Sequence, residues 1–225
     1  MSRVYGSGHH QQRGLGLYNC IKDIVGKGIP GDYVECGVAS GKSSFIAISS
    51  YMSMENDCSN RNFWLYDTYA GTNDQVAGWD RPHEEYDVSY TGVKAVDLWD
   101  NQSLKKNLEY LVSDEWVKEK MLQTGVLEEK LRIINGKVED TISILDEKTR
   151  PATISMLRID VDFYYPTKHV IENLYDLVAP GGYIFLDDYG HWMGFKKAIH
   201  EFEESRNLKF DITMVDYTGA FFIKR

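Results

Sequence analysis

The sequence predicts a single α/β domain built on a doubly wound, mostly parallel sheet with helices on both faces. Three observations carry that expectation. Short apolar runs alternate with helix-patterned stretches, as strands joined by helical crossovers require. A length of 225 residues suits one such domain with a substantial core. After five strand-like runs, "FDITMVDYTGAFFIKR" adds two more around Tyr217-Thr218-Gly219, so a seven-stranded sheet ending in a β-hairpin is expected.

Each element follows in order. "LGLYNCIKDIV", Leu15 to Val25, has helical periodicity and "GKGIPGD" breaks it. "YVECGV" is the expected first strand, and "SSFIAISSYM" opens the helix after it. "FWLYD", Phe63 to Asp67, is the second strand. The polar and aromatic stretch from Thr68 to about Leu104 is too long for an ordinary connection and is expected to be a functional lid or partly disordered. "SLKKNLEYLVSDEWVKEKML" supplies helix, "LRIIN" the third strand and "ISMLRID" the fourth. "GYIFLDD" is the fifth strand, after a Pro180-Gly181 turn, and "FKKAIHEFEES" is helical. The expected division is an N-terminal arm and helix over 1–30, then a domain over 31–225 with the lid inserted at about 70–104.

A net charge of -9 leaves no basic face to displace counterions, which argues against nucleic acid and against an anionic membrane surface as partners. Cys20, Cys36 and Cys58 have no metal-ligand spacing, as in a reducing compartment. No apolar run is long enough to span a bilayer, and "MSRVYGSGHHQQ" lacks a signal peptide's apolar core. A cytoplasmic protein is expected, with His9-His10 in a polar arm rather than a metal site.

"VECGVASGKSS", Val34 to Ser44, raises the question of function. A phosphate loop of the G-x-x-x-x-G-K-[ST] type needs one more residue between its glycines than "GVASG" has. A dinucleotide fingerprint needs G-x-G-x-x-G, and Ala39 stands where the second glycine should be. An acid followed by small residues at alternate positions, Glu35, Gly37, Ala39 and Gly41, instead suits a loop approaching the methionine part of S-adenosylmethionine. Asp67 ends the second strand, where a carboxylate reaches ribose hydroxyls. NAD would use the same acid, so an NAD-linked oxidoreductase stays open at this point. A terminal hairpin after five alternating strands is typical of class I methyltransferases with a Rossmann-like sheet.

Asp160 ends the fourth strand, and Asp187 and Asp188 end the fifth. Three carboxylates at the ligand-binding ends of a sheet need solvent or a cation. Oxygen-only donors suit a hard ion such as Mg²⁺. Asp162 stands one step beyond.

"GDYVECGVASGKSS", "LYDTYAG", "INGKVEDTI", "LRIDVDFYYPT" and "APGGYIFLDDYG" occur in an order that resembles the macrocin O-methyltransferase family, bacterial sugar O-methyltransferases. The resemblance runs from about Gly31 to the C-terminus. It implies metal ligation by Asp160, Asp187 and Asp188. It implies cofactor contacts at Glu35, Gly37 and Ser43, at Asp67 and Thr68 for the ribose, at Gly136, Val138 and Glu139 for the adenine, and near Asp160. A homo-oligomer is also implied. The chain departs from the family pattern at Ala39-Ser40-Gly41-Lys42, at Thr68-Tyr69-Ala70 and at Tyr165-Pro166, all near cofactor or acceptor.

The expected reaction is Mg²⁺-dependent methylation of a sugar or glycan hydroxyl in a vicinal diol. Asp160 and His191 are the candidate proton acceptors. Trp79, His83, Tyr86 and Tyr90 are candidates for stacking on the acceptor or for an oligomer interface. A catechol-like diol is the alternative acceptor, and a non-catalytic scaffold is the alternative outside enzymology.

Overall fold

The computed structural model describes residues 8–55, 61–70, 83, 85–99, 112–143 and 150–225. Among them the strands are β1 (Asp32–Cys36), β2 (Phe63–Asp67), β3 (Leu131–Asn135), β4 (Ile154–Ile159), β5 (Val178–Leu186), β6 (Thr213–Met214) and β7 (Ala220–Ile223). They form one seven-stranded sheet in the order β3-β2-β1-β4-β5-β7-β6. The pairs from β3 to β5 are parallel, and β7 is antiparallel to both β5 and β6. The expected class is therefore found: a Rossmann-like methyltransferase sheet with a terminal hairpin.

The helices are α1 (Gly8–Gly26), α2 (Lys42–Met54), α3 (Ala95–Trp99), α4 (Asp114–Leu122), α5 (Val138–Thr141), α6 (Tyr164–Leu174) and α7 (Met193–Ser205). Side chains alternate across the sheet, so each strand feeds two cores. Leu17, Ile21 and Ile24 of α1, Ile48 of α2 and Met121 of α4 pack on Tyr33, Met156 and Phe185. Val170 and Leu174 of α6 and Phe195 and Ile199 of α7 pack on Val34, Leu157 and Ile184 on the other face. No helix among the described residues is long and apolar enough to cross a membrane.

Four boundaries differ from expectation. The first helix starts at Gly8, seven residues before Leu15. Its Gly16 looks like a weak point in the sequence, but a Cβ there would stand 2.4 Å from Val215 Cγ1. The glycine lets α1 lie close against the hairpin. Helix α4 starts at Asp114, where Ser113 accepts from the Trp116 amide as an N-cap; residues 103–111 lie outside the described set. Strand β5 starts at Val178, and Pro180-Gly181 is an irregularity inside it: Gly181 N donates to Lys224 O at 2.7 Å. Part of the expected lid is described and is not loop alone. Val88 bridges to Lys94, α3 follows, and Ser89 bridges to Trp192.

Candidate active site

The strand order reverses between β1 and β4. The chain leaves β1 toward the α2 face and leaves β4 toward the α6 face. A crevice opens where those connections diverge, above the C-terminal strand ends.

Alternation decides which side chains meet there. Glu35 follows Tyr33, Arg158 follows Met156 and Asp187 follows Phe185, all two residues on and all toward the α1–α2 face. Glu35 and Arg158 are register partners across the β1–β4 pair. Arg158 is buried, with Nη1 donating to Glu35 Oε1 and to Asp160 Oδ2 at 2.7 Å each, and Nη2 donating to Asp187 Oδ1 at 2.5 Å. Arg13 of α1 donates to the other Asp187 oxygen at 2.5 Å and to Asp216 Oδ2 at 3.0 Å, and also to the Thr218 hydroxyl.

Asp160, Asp187 and Asp188 each present an oxygen, and the three atoms lie within 4.8 Å of one another. Asp188 Oδ2 is buried with no hydrogen-bond partner among the described residues. A buried carboxylate oxygen left unpaired is costly, so the position asks for a ligand. Carboxylate oxygens without His or Cys match a hard divalent cation. The residues present therefore fit the cation that the resemblance implies.

Burial raises the carboxyl of Asp188 well above its usual range, and repulsion from Asp162, Asp160 and Asp187 adds to this. Burial also pushes Asp160 up to about 8 against the pull of Arg158, and Asp162 up to about 6 against a 3.3 Å hydrogen bond from Trp192 Nε1. Burial and the charge of Arg13 lower His191. The folded protein thus holds carboxyl protons that the unfolded chain has released. Stability from these groups is full below about pH 4, where the unfolded carboxylates titrate, and is lost as pH rises through the folded values. His191 alone works in the opposite direction. In chelator, the melting temperature should fall between pH 5 and pH 8; a rise across that window would contradict the assignment.

The glycine loop is built as tightly as its sequence suggests, for a different reason. Gly37 has φ 89°, and a Cβ there would stand 1.8 Å from the carbonyl oxygen of Asp160. It is glycine because two strand ends touch. Gly41 has φ 73° at the start of α2, and Ala39 adopts φ 47° without being glycine. Asp67 stands at the tip of β2 as expected. Its Oδ2 accepts from the Val38 and Ala39 amides at 2.6 and 2.8 Å, and its Oδ1 accepts from the Tyr69 amide at 2.8 Å. Gly136 N donates to Asp67 O at 2.9 Å, which brings the third strand's loop to the same place. Ser43, Thr68 and Glu139 are half-buried.

Two of the expected contact residues have buried side chains. Glu35 is fully buried, with Oε1 held by Arg158 and Oε2 by the hydroxyls of Tyr33 and Ser44. It braces the loop from beneath. Val138 packs its side chain into the α6–α7 core, so only its backbone is available to an adenine.

On the acceptor side, Trp79 lies outside the described residues. His83 stacks on Tyr86 at 4.3 Å and lies 5.6 Å from Tyr165. Buried Asp87 accepts from the His83 amide at 2.6 Å and from the Tyr164 amide at 3.0 Å, pinning this segment to α6. Tyr90 N donates to His191 O at 3.2 Å, and Tyr90 is largely exposed. Sequence reasoning missed Arg13, Ser44, Asp87 and Arg158. Only Arg158 left a signal, a charge inside the apolar run "ISMLRI", which must be buried and paired.

The model of the family described as macrocin O-methyltransferase matches residues 8–224. Demethyldecarbamoylnovobiocin O-methyltransferase of Streptomyces niveus is 28% identical over 206 residues, covering 91% of this chain and 70% of that protein. The 8-demethyl-8-(2,3-dimethoxy-alpha-L-rhamnosyl)-tetracenomycin-C 4'-O-methyltransferase of Streptomyces olivaceus is 27% identical with the same coverage. The solved structure of the O-methyltransferase NovP superposes with a TM-score of 0.75 at 26% identity, covering 95% of this chain and 79% of that one. The oxidoreductase and scaffold alternatives are set aside with this match. The chain belongs to the macrocin O-methyltransferase family and is an O-methyltransferase.

Proposed function

We propose that the protein methylates a hydroxyl of a sugar or glycan, using S-adenosylmethionine and a Mg²⁺ ion held by Asp160, Asp187 and Asp188. The observation that carries this reading is the convergence of those three carboxylates beside the glycine loop, with one buried oxygen unpartnered among the described residues. The name of one relative places its methyl group on the 4' oxygen of a rhamnosyl acceptor, which supports a sugar here.

S-adenosylmethionine would supply an electrophilic methyl group for in-line displacement. When bound, a divalent cation would lower the acceptor hydroxyl's pKa and fix its oxygen. The remaining work falls to the chain. Asp67 and the loop from Gly37 to Gly41 hold the nucleoside and its methionine end. His191, neutral because burial and Arg13 lower it, takes the hydroxyl proton. Asp160 is less free to do so, since Arg158 occupies one of its oxygens. His83, Tyr86 and Tyr90 offer flat faces to a sugar ring.

Calorimetric titration with S-adenosylhomocysteine, with NADH as control, tests the cofactor. Saturable binding of the nucleoside alone is expected, and preference for NADH would overturn the reading. Rhamnosyl glycosides assayed with Mg²⁺ and with EDTA test the rest; turnover unaffected by EDTA would remove the metal. His191→Gln should lower kcat on the order of 100-fold, with little change in S-adenosylhomocysteine affinity. Retained turnover with an unchanged pH profile would move the base elsewhere.

A further inference from the structure

Arg13 of the N-terminal helix reaches the acidic centre. Both oxygens of Asp187 lie against guanidinium groups, one of Arg158 and one of Arg13, each at 2.5 Å. The two arginines are not equivalent. Arg158 is buried between β1 and β5 and ties Glu35, Asp160 and Asp187 together, so it has nowhere to go. Arg13 lies at the surface of the cluster, with its side chain 18% exposed. It also has a second set of partners: Nε donates to Asp216 Oδ2 at 3.0 Å, Nη2 to Asp216 Oδ1 at 3.3 Å, and Thr218 accepts as well. Those bonds persist if Asp187 turns to something else.

We infer that Arg13 is a resident counter-cation of the centre: it shares Asp187 with the divalent ion and sets how tightly that ion is held. Without the ion, its charge lets three carboxylates stand within 4.8 Å of one another. With the ion, Arg13 repels the newcomer and falls back on Asp216 and Thr218. Arg13 is therefore a positioning residue for the acids. It limits affinity and keeps the metal exchangeable.

Two effects compete when Arg13 is removed. Losing its hydrogen bond to Asp187 frees one side chain, which weakens ion binding slightly. Losing a unit charge a few ångströms from the ion strengthens binding, and even with the pair screened as in bulk water this is worth about tenfold or more. The charge wins.

This inference rests on the cation reading of Asp160, Asp187 and Asp188, and Mn²⁺ titration of the full chain separates the two. In Arg13→Met the Mn²⁺ dissociation constant should fall about tenfold. Its metal-free melting temperature should drop below that of the unmodified protein, and the gap should close at saturating Mn²⁺. Arg13→Lys keeps the charge without the fork and should bind Mn²⁺ close to the unmodified level. Unchanged or weaker binding in Arg13→Met, with ordinary binding in the unmodified protein, overturns the inference alone. No Mn²⁺ binding by any of the three proteins removes the cation reading and the inference with it.

Discussion

Asp188→Asn should lose at least about a hundredfold in turnover while becoming more stable in the absence of metal. The two halves of that result have one cause. Asp188 is buried, its Oδ2 has no partner among the described residues, and Asp162, Asp160 and Asp187 all repel its charge. An asparagine keeps the shape, removes the charge and brings donors for the neighbouring carboxylates. The metal-free fold should gain, whereas a cation loses a charged ligand. S-adenosylhomocysteine affinity should hardly change, because the glycine loop and Asp67 are untouched. Activity assays and thermal melts in EDTA read both halves. Near-normal turnover would end the metal role, and a lower melting temperature would mean that Asp188 has a structural partner.

Arg158→Met should cost on the order of 3–5 kcal/mol of folding stability, the usual scale for breaking a buried ion pair from one side. Three acids lose a partner at once, and Glu35 is fully buried. Arg158→Lys keeps a charge but offers a single nitrogen in place of the fork that spans Asp160, Glu35 and Asp187, so an intermediate loss is expected. Urea midpoints at constant m-value measure both. A methionine variant within about 1 kcal/mol of the parent would mean that the guanidinium's own desolvation offsets its three contacts.

The contrast between Arg158 and the strands around it shows what the chain made legible. β2 and β3 have the expected ends, Phe63 to Asp67 and Leu131 to Asn135, because apolar runs bounded by polar residues report burial directly. The acids at strand ends were legible for the same reason: topology puts those ends together whatever the loops do. Arg13 was not, because its partners lie 174 and 203 residues away and nothing local marks it. The pairing of Glu35 with Arg158 was not legible because an acid before a glycine loop looks the same facing a ligand or facing an arginine. Ser113 could have been read as a helix cap before Asp114 and Glu115, but the longer helical pattern masked it. Pro180-Gly181 looked like a turn because only tertiary pairing shows a strand running through it.

The contact between Gly37 and the backbone of Asp160 has a consequence for anyone rebuilding this enzyme. The loop that would face the cofactor and the strand end that carries an acid share one surface, with no room between them for a methyl group. A loop borrowed from another protein would have to bring the same bare backbone at position 37, or it would wedge β1 away from β4 and displace the acids with it. In the proposed reading, the cofactor loop and the metal-holding strand end can change only together, and the segment around His83 to Tyr90, proposed for the acceptor, is the part left free to vary.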